Sequence, residues 1–153
     1  MSQWIGFTNK KLYQCRLLLA EYAQCDDPSL ADALEEGGLY QLHDAWLSYL
    51  QELGDMVAFR EPVSSLQDLL QRVSLVTGEM RELTQLADDP FSWLSQMLKA
   101  VAALRQPSAV RPAQSSDAQS IALTAESTES PVVRWWAAMT ALIDVQRENR
   151  QES

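Results

Sequence analysis

Apolar side chains recur along this chain at helical spacing. Stepped at about 100° per residue, Leu66, Leu69, Leu70, Val73, Val76, Met80, Leu83 and Ala87 share one face. The spacing predicts one helix over residues 65–87, capped by Ser64 or Ser65, with Gly78 on its polar side. Further upstream, Leu12, Cys15, Leu19, Tyr22 and Ala23 form the face of a first helix, capped by Thr8 or Asn9 and running to about Cys25. Trp4, Ile5 and Phe7 are expected to plug its entry. Tyr13, Leu17 and Ala20 point away from that face. A helix apolar on two sides is expected at the centre of its bundle.

Asp26-Asp27-Pro28 stops one helix and starts the next, with Asp27 as cap and Pro28 at the first helical position. Leu39, Leu42, Trp46, Tyr49, Leu53 and Met56 then make a stripe, with Leu30 and Leu34 turned about 100° from it and Gly37-Gly38 at the change. Glycine pairs permit kinks. Two arrangements stay open over residues 28–59: one helix bent at the glycines, or a short helix and a long one. Either ends at Glu61-Pro62, because the residue before proline resists helical angles. Asp88-Asp89-Pro90 repeats the device and opens a helix to residue 105, clustering Trp93, Leu94, Met97, Leu98, Val101 and Leu104.

Residues 106–130 carry two prolines and no aromatic, and read as a flexible linker with Ile121 and Leu123 as weak docking points. Ser130-Pro131 starts a last helix to residue 149. Val132, Trp135, Trp136, Met139, Leu142 and Ile143 fall within about 120° of its arc. The adjacent indoles diverge, so they form the shoulders of a stripe and not a flat platform.

The expected fold is all-α: an up-down bundle of four to five helices with a flexible linker before the last. Residues 1–105 form the core, 106–130 the linker and 131–150 a C-terminal amphipathic helix packing on the bundle. Such a linker spans about 25–30 Å on average. A 20-residue helix is about 30 Å long, so the tail can return in either orientation. Exchange of the tail between two copies is the alternative.

Charge narrows the partners. The net charge is −9, with 12 basic and 21 acidic residues, and the sole adjacent basic pair is Lys10-Lys11. Phosphate backbones and anionic membranes are held by basic clusters, so neither nucleic acid nor membrane is an expected partner. No stretch approaches the roughly 18 apolar residues of a membrane span. The opening MSQWIGFTNKK lacks a basic region followed by an apolar run, which predicts a cytoplasmic protein. Cys15 and Cys25 on one helix would stand about 15 Å apart, beyond the roughly 7 Å limit for a disulfide.

Candidate chemistry is sparse. His43 is the single histidine, which excludes multi-histidine metal sites and leaves no partner pattern for a serine or cysteine nucleophile. No catalytic residue, metal or cofactor is expected. Asp26, Asp27, Asp32, Glu35, Glu36, Asp44, Glu52 and Asp55 are expected at caps or on outward faces, with no two of them at one cavity. The chain therefore reads as a non-enzymatic protein-interaction or adaptor module, its partner a protein, a second copy of itself included. Trp135, Trp136, Tyr13 and Leu17 are the candidate contacts. The alternative is a ligand-binding or sensing bundle with an apolar pocket between the first, second and last helices.

FTNKKLYQCRLLLAEY (7–22), LYQLHDAWLSYLQEL (39–53), the MRELTQL and WLSQML segments (80–98) and WWAAMTALIDVQRE (135–148) resemble a family of short uncharacterised bacterial proteins. The shared features are an aromatic-Thr-Asn-x-Lys-Leu-Tyr opening, a long helix near residue 40, and a paired-Trp ending with a Gln-Arg-Glu run. The resemblance covers most of the chain except 106–130. It implies an α-helical, cytoplasmic protein with no assigned activity, and it carries over no catalytic residue.

Overall fold

The computed structural model describes residues 2–107 and 129–152. Most of the segment expected as a linker, with Ile121 and Leu123, lies outside the described residues. The described residues form helices and no strand: α1 (Gln3–Gln24), α2 (Pro28–Asp55), α3 (Leu66–Arg72), α4 (Gly78–Asp88), α5 (Trp93–Leu104) and α6 (Pro131–Glu152). The all-helical expectation holds.

α1 starts earlier than its sequence suggests. The Ser2 hydroxyl caps it by accepting from the Trp4 amide at 3.2 Å. Trp4, Ile5 and Phe7 are thus helical and not an entry plug. Thr8 is no cap: it is buried, and its hydroxyl shares a 2.6 Å hydrogen bond with the Ser48 hydroxyl across the α1–α2 interface. Asp27 and Pro28 turn the chain into α2 as expected, the Asp27 carboxylate accepting from the Ser29 amide at 3.1 Å.

α2 runs unbroken through Gly37-Gly38. The glycines serve contact with α1. A Cβ on Gly38 would stand 3.1 Å from Leu19 Cδ2, and one on Gly37 3.3 Å from Leu18 Cδ1. α2 ends at Asp55, ahead of Pro62. The Phe59 amide folds back onto the Gly54 carbonyl at 2.8 Å, and Ala58 takes a left-handed φ of 62°. The reversal is built on backbone geometry, which an apolar stripe does not report.

The single helix expected over 65–87 is two. Ser65 caps α3 by accepting from the Asp68 amide, and Asp68 reaches back to the Ser64 amide at 3.0 Å. Thr77 caps α4, which makes Gly78 its first residue. Leu66, Leu69, Met80 and Leu83 all remain buried, so the apolar face stays in phase across the break. α5 is capped by Ser92 and α6 opens at Pro131, close to expectation.

α2, and not α1, is the central helix. It packs against α1, α3, α5 and α6, and it buries Leu42, Trp46, Tyr49, Leu50 and Leu53 almost completely. α6 lies against α1, α2 and α5 of its own chain. It seats Val132, Trp135, Met139 and Ile143 in the core, each burial worth about 1.5–3 kcal/mol relative to exposure.

Candidate functional site

The four residues expected at a contact surface divide into two pairs that do not converge. Trp135 is 8% exposed and belongs to the core. Trp136 is half-buried, and its indole N–H donates to the Leu12 carbonyl at 2.9 Å. Both indoles therefore act within the fold, as shoulders of a seated helix. Tyr13 and Leu17 are the opposite case, at 53% and 46% exposed. They stand on the outward side of α1, whose other side buries Thr8, Leu12, Cys15 and Leu19. The Arg16 guanidinium lies 5.4 Å from the Tyr13 ring centre. Near the start of the same helix, Trp4 and Phe7 are part-exposed and meet edge to face at 5.7 Å.

A polar cluster absent from the sequence expectations lies at the opposite end of the bundle from the start of α6. Glu52 is 2% exposed, where an outward-facing carboxylate was expected. Asp26, Asp27, Asp32 and Asp44 do face solvent. The cause is α6, which brings two arginines onto Glu52. Arg147 binds it through two hydrogen bonds, Nη2 to Oε2 at 2.7 Å and Nε to Oε1 at 3.2 Å. Arg150 Nη2 stands 3.8 Å from Oε1, and its Nη1 stands 3.7 Å from Glu79. Arg147 also donates to Asn9 on α1 at 2.8 Å, and Arg150 to the Tyr49 hydroxyl at 3.2 Å. The Tyr49 hydroxyl donates in turn to Gln146, whose amide donates to Glu82 on α4 at 2.7 Å. Burial pushes the Tyr49 phenol up to about 12, against the opposing pull of Arg150. One end of α6 is thereby tied to α2 and α4 through buried or half-buried hydrogen bonds and to α1 through an exposed one.

Glu52 and Asp55 line one cavity of about 650 Å³, together with Trp4, Arg60 and Arg150. This corrects the expectation that no two carboxylates share a cavity. Glu52 and Asp55 stand three apart and so share a face of α2, and the start of α1 supplies the opposite wall. Each arrives engaged: Glu52 by Arg147, and Asp55 by Arg60 at 2.8 Å. Hydrogen bonding from Ser2, then from Arg60, holds the Asp55 carboxyl below its usual range. The arrangement is suited to tying elements together.

Other candidate groups are accounted for locally. His43 is half-buried; burial lowers its pKa from the usual 6.5, with Arg105 acting the same way and Asp44 opposing. Cys15 and Cys25 are free thiols, and burial pushes Cys15 up to about 12, which makes it a poor nucleophile. Among the described residues no group of three or more His, Cys, Asp or Glu side chains could hold a metal ion. Nor is any helix among them long and apolar enough to cross a membrane. Two smaller grooves flank α6: one of about 420 Å³ against α1 and α2, walled by Leu19, Tyr22 and Val133, and one of about 330 Å³ against α2 and α5, walled by Leu39, Leu104 and Trp135. The Ser130 hydroxyl donates to Glu35 at the start of α6, between them.

Glu52, Arg147 and Arg150 are the residues that sequence reasoning missed. One signal was available. Arg147 and Arg150 stand three apart, so they share a helix face, and that face also carries Ile143 and Gln146. Compared with known proteins, the whole chain, residues 1–153, matches the model of a family of unknown function, DUF6586. No curated protein and no solved structure matches it.

Proposed function

The chain belongs to DUF6586, a family of unknown function, and we propose that it is a non-enzymatic protein-interaction module that works through the outward face of α1. One observation carries this: Tyr13 and Leu17 remain exposed on a helix whose other side is sealed into the core. Burying such groups against a partner removes apolar area from water, and tyrosine is among the residues enriched at the energetic centres of interfaces. The polar cluster around Glu52 favours the same reading, because its ion pairs and hydrogen bonds are spent on holding α6. The reading sets the protein in the bacterial cytoplasm, in keeping with its two free thiols.

The test compares wild type with a Tyr13→Ser, Leu17→Ser double variant of matched helicity, each used to capture partners from an extract of its own cell type. Loss of a discrete partner from the variant supports the reading, and identical recoveries overturn it.

A second reading, a small-molecule-binding bundle, is favoured by the groove between α1, α2 and α6, walled by Leu19, Tyr22 and Val133. A ligand at 100 times its Kd would stabilise the fold by about 2.7 kcal/mol. A thermal-shift screen over metabolites and lipids that leaves the melting temperature unmoved rejects it.

A further inference from the structure

Gly6 lies inside α1, exposed, and a Cβ added there would meet nothing within 4 Å. A helical glycine sacrifices helix propensity. Gly37, Gly38 and Gly54 return that loss by admitting Leu18, Leu19 and Phe59 at close range, whereas none of the described residues uses the space at Gly6. Gly6 is also in register with Lys10, Tyr13, Leu17, Ala20 and Gln24. The six recur at alternating steps of four and three, and every one is exposed. That alternation is the spacing of a coiled-coil seam, with its apolar residues at Tyr13, Leu17 and Ala20, and it runs nearly the whole length of α1.

The order of sizes along the seam is self-complementary in one direction. Reversed about the midpoint between Tyr13 and Leu17, it places Gly6 against Gln24, Lys10 against Ala20 and Tyr13 against Leu17, large beside small in the outer layers. Charge agrees. The chain carries a net charge of −9, yet α1 holds Lys10, Lys11 and Arg16 against Glu21 alone. Lys11 is already paired with Asp44 at 3.2 Å. A parallel pairing would set Lys10 on Lys10 and Glu21 on Glu21. The reversed pairing sets Lys10 beside Glu21 of the second copy. Its one like-charge approach is Arg16 with its symmetry mate, and each Arg16 is laid over its own Tyr13 ring.

Building on the interaction reading above, we propose that the partner is a second copy of this chain, held by two α1 helices packed antiparallel across a twofold axis. The contact is isologous, so one surface serves both subunits. Gly6 and Ala20 let the helix backbones approach, and Tyr13 and Leu17 form the apolar centre.

The test is the mass of the full-length protein by sedimentation velocity over a concentration series, with circular dichroism on each variant. Wild type is expected as a concentration-dependent dimer. Lys10→Glu or Glu21→Lys alone brings like charges together and should weaken the dimer on the order of tenfold, while the double exchange restores it. Leu17→Lys should yield a folded monomer; the two charge variants, at exposed positions, keep the test valid if it does not fold. A wild type that stays monomeric at high concentration overturns self-pairing, as does a dimer indifferent to all three single changes. A monomer that still loses a foreign partner on Tyr13→Ser, Leu17→Ser leaves the interaction reading standing. If that variant also keeps every partner, both fall.

Discussion

Glu52→Gln isolates what holds the last helix in place. The substitution keeps the side chain's shape and removes the charge that faces Arg147 and Arg150. Two hydrogen bonds from Arg147, at 2.7 and 3.2 Å, lose their charged acceptor, and the new amide NH₂ directs a donor toward a guanidinium. Hydrogen bonds to charged groups contribute about 1.5–3 kcal/mol. Removing one member of a fully buried pair costs about 3–5 kcal/mol. The arginines here keep 17% and 16% of their side-chain exposure, so water recovers part of the loss. The expected cost is therefore about 2–3 kcal/mol, between those limits. Against a total stability of about 5–15 kcal/mol, such a change moves a urea midpoint well beyond error. Urea unfolding followed by far-UV circular dichroism measures it, and native-state hydrogen exchange locates it, with α6 amides losing protection before those of α2. Arg147→Gln should cost a similar amount, and the double variant less than the sum, because each single change already breaks the shared contact. A loss below about 0.5 kcal/mol, the range of ordinary surface changes, would refute the view that this cluster anchors α6.

Further outcomes follow from backbone, packing and titration. Ala58→Gly should raise the stability measured by urea unfolding by about 0.5–1 kcal/mol, since the left-handed φ of 62° penalises a side chain and glycine's added unfolded-state freedom offsets part of the gain; a fall in stability contradicts this. Gly54→Ala should cost more than Gly38→Ala, each about 1–3 kcal/mol, because a new Cβ meets the Phe59 backbone carbonyl at 3.1 Å in the first case and the movable end of Leu19 at 3.1 Å in the second; the reverse order of melting temperatures refutes it. His43 has a folded pKa below the usual 6.5, so the unfolded chain protonates first. Its stabilising effect is complete above 6.5 and is lost as pH falls from there through the folded value. His43→Gln should therefore flatten the stability profile in that acidic window and leave its slope above it unchanged.

Helix faces were legible from the sequence wherever one apolar stripe met one neighbour. The stripe of Val132, Trp135, Met139 and Ile143 is buried as its spacing predicts. Boundaries were hidden where a break keeps the phase. Leu69 and Met80 are both buried and in phase along the sequence although α3 and α4 are separate helices, so periodicity alone joins them. Thr77 before Gly78 was the local sign, a side-chain cap on the Met80 amide. Thr8 misled in the other direction, because its hydroxyl has a distant partner in Ser48 and so resembles a cap without being one. Of the candidate contacts, the exposure of Tyr13 and Leu17 follows from their phase on α1, whereas the centrality assigned to that helix passed to α2. Glu52 was beyond reach of local reasoning: its burial depends on arginines 95 residues or more further along the chain.

The seat of α6 also sets an order of events during synthesis. α1 to α5 leave the ribosome first, and the faces of α1, α2 and α5 that α6 packs on stay without that cover until residues 131–152 follow. At about 5–20 residues per second, the stretch from Leu104 to Glu152 takes roughly 2–10 s to make, before the added delay of the exit tunnel. For that interval the nascent chain presents an open apolar trough, together with an unmatched Glu52. A ribosome that stalls between Leu104 and Pro131 would release a product for chaperones and proteases to meet.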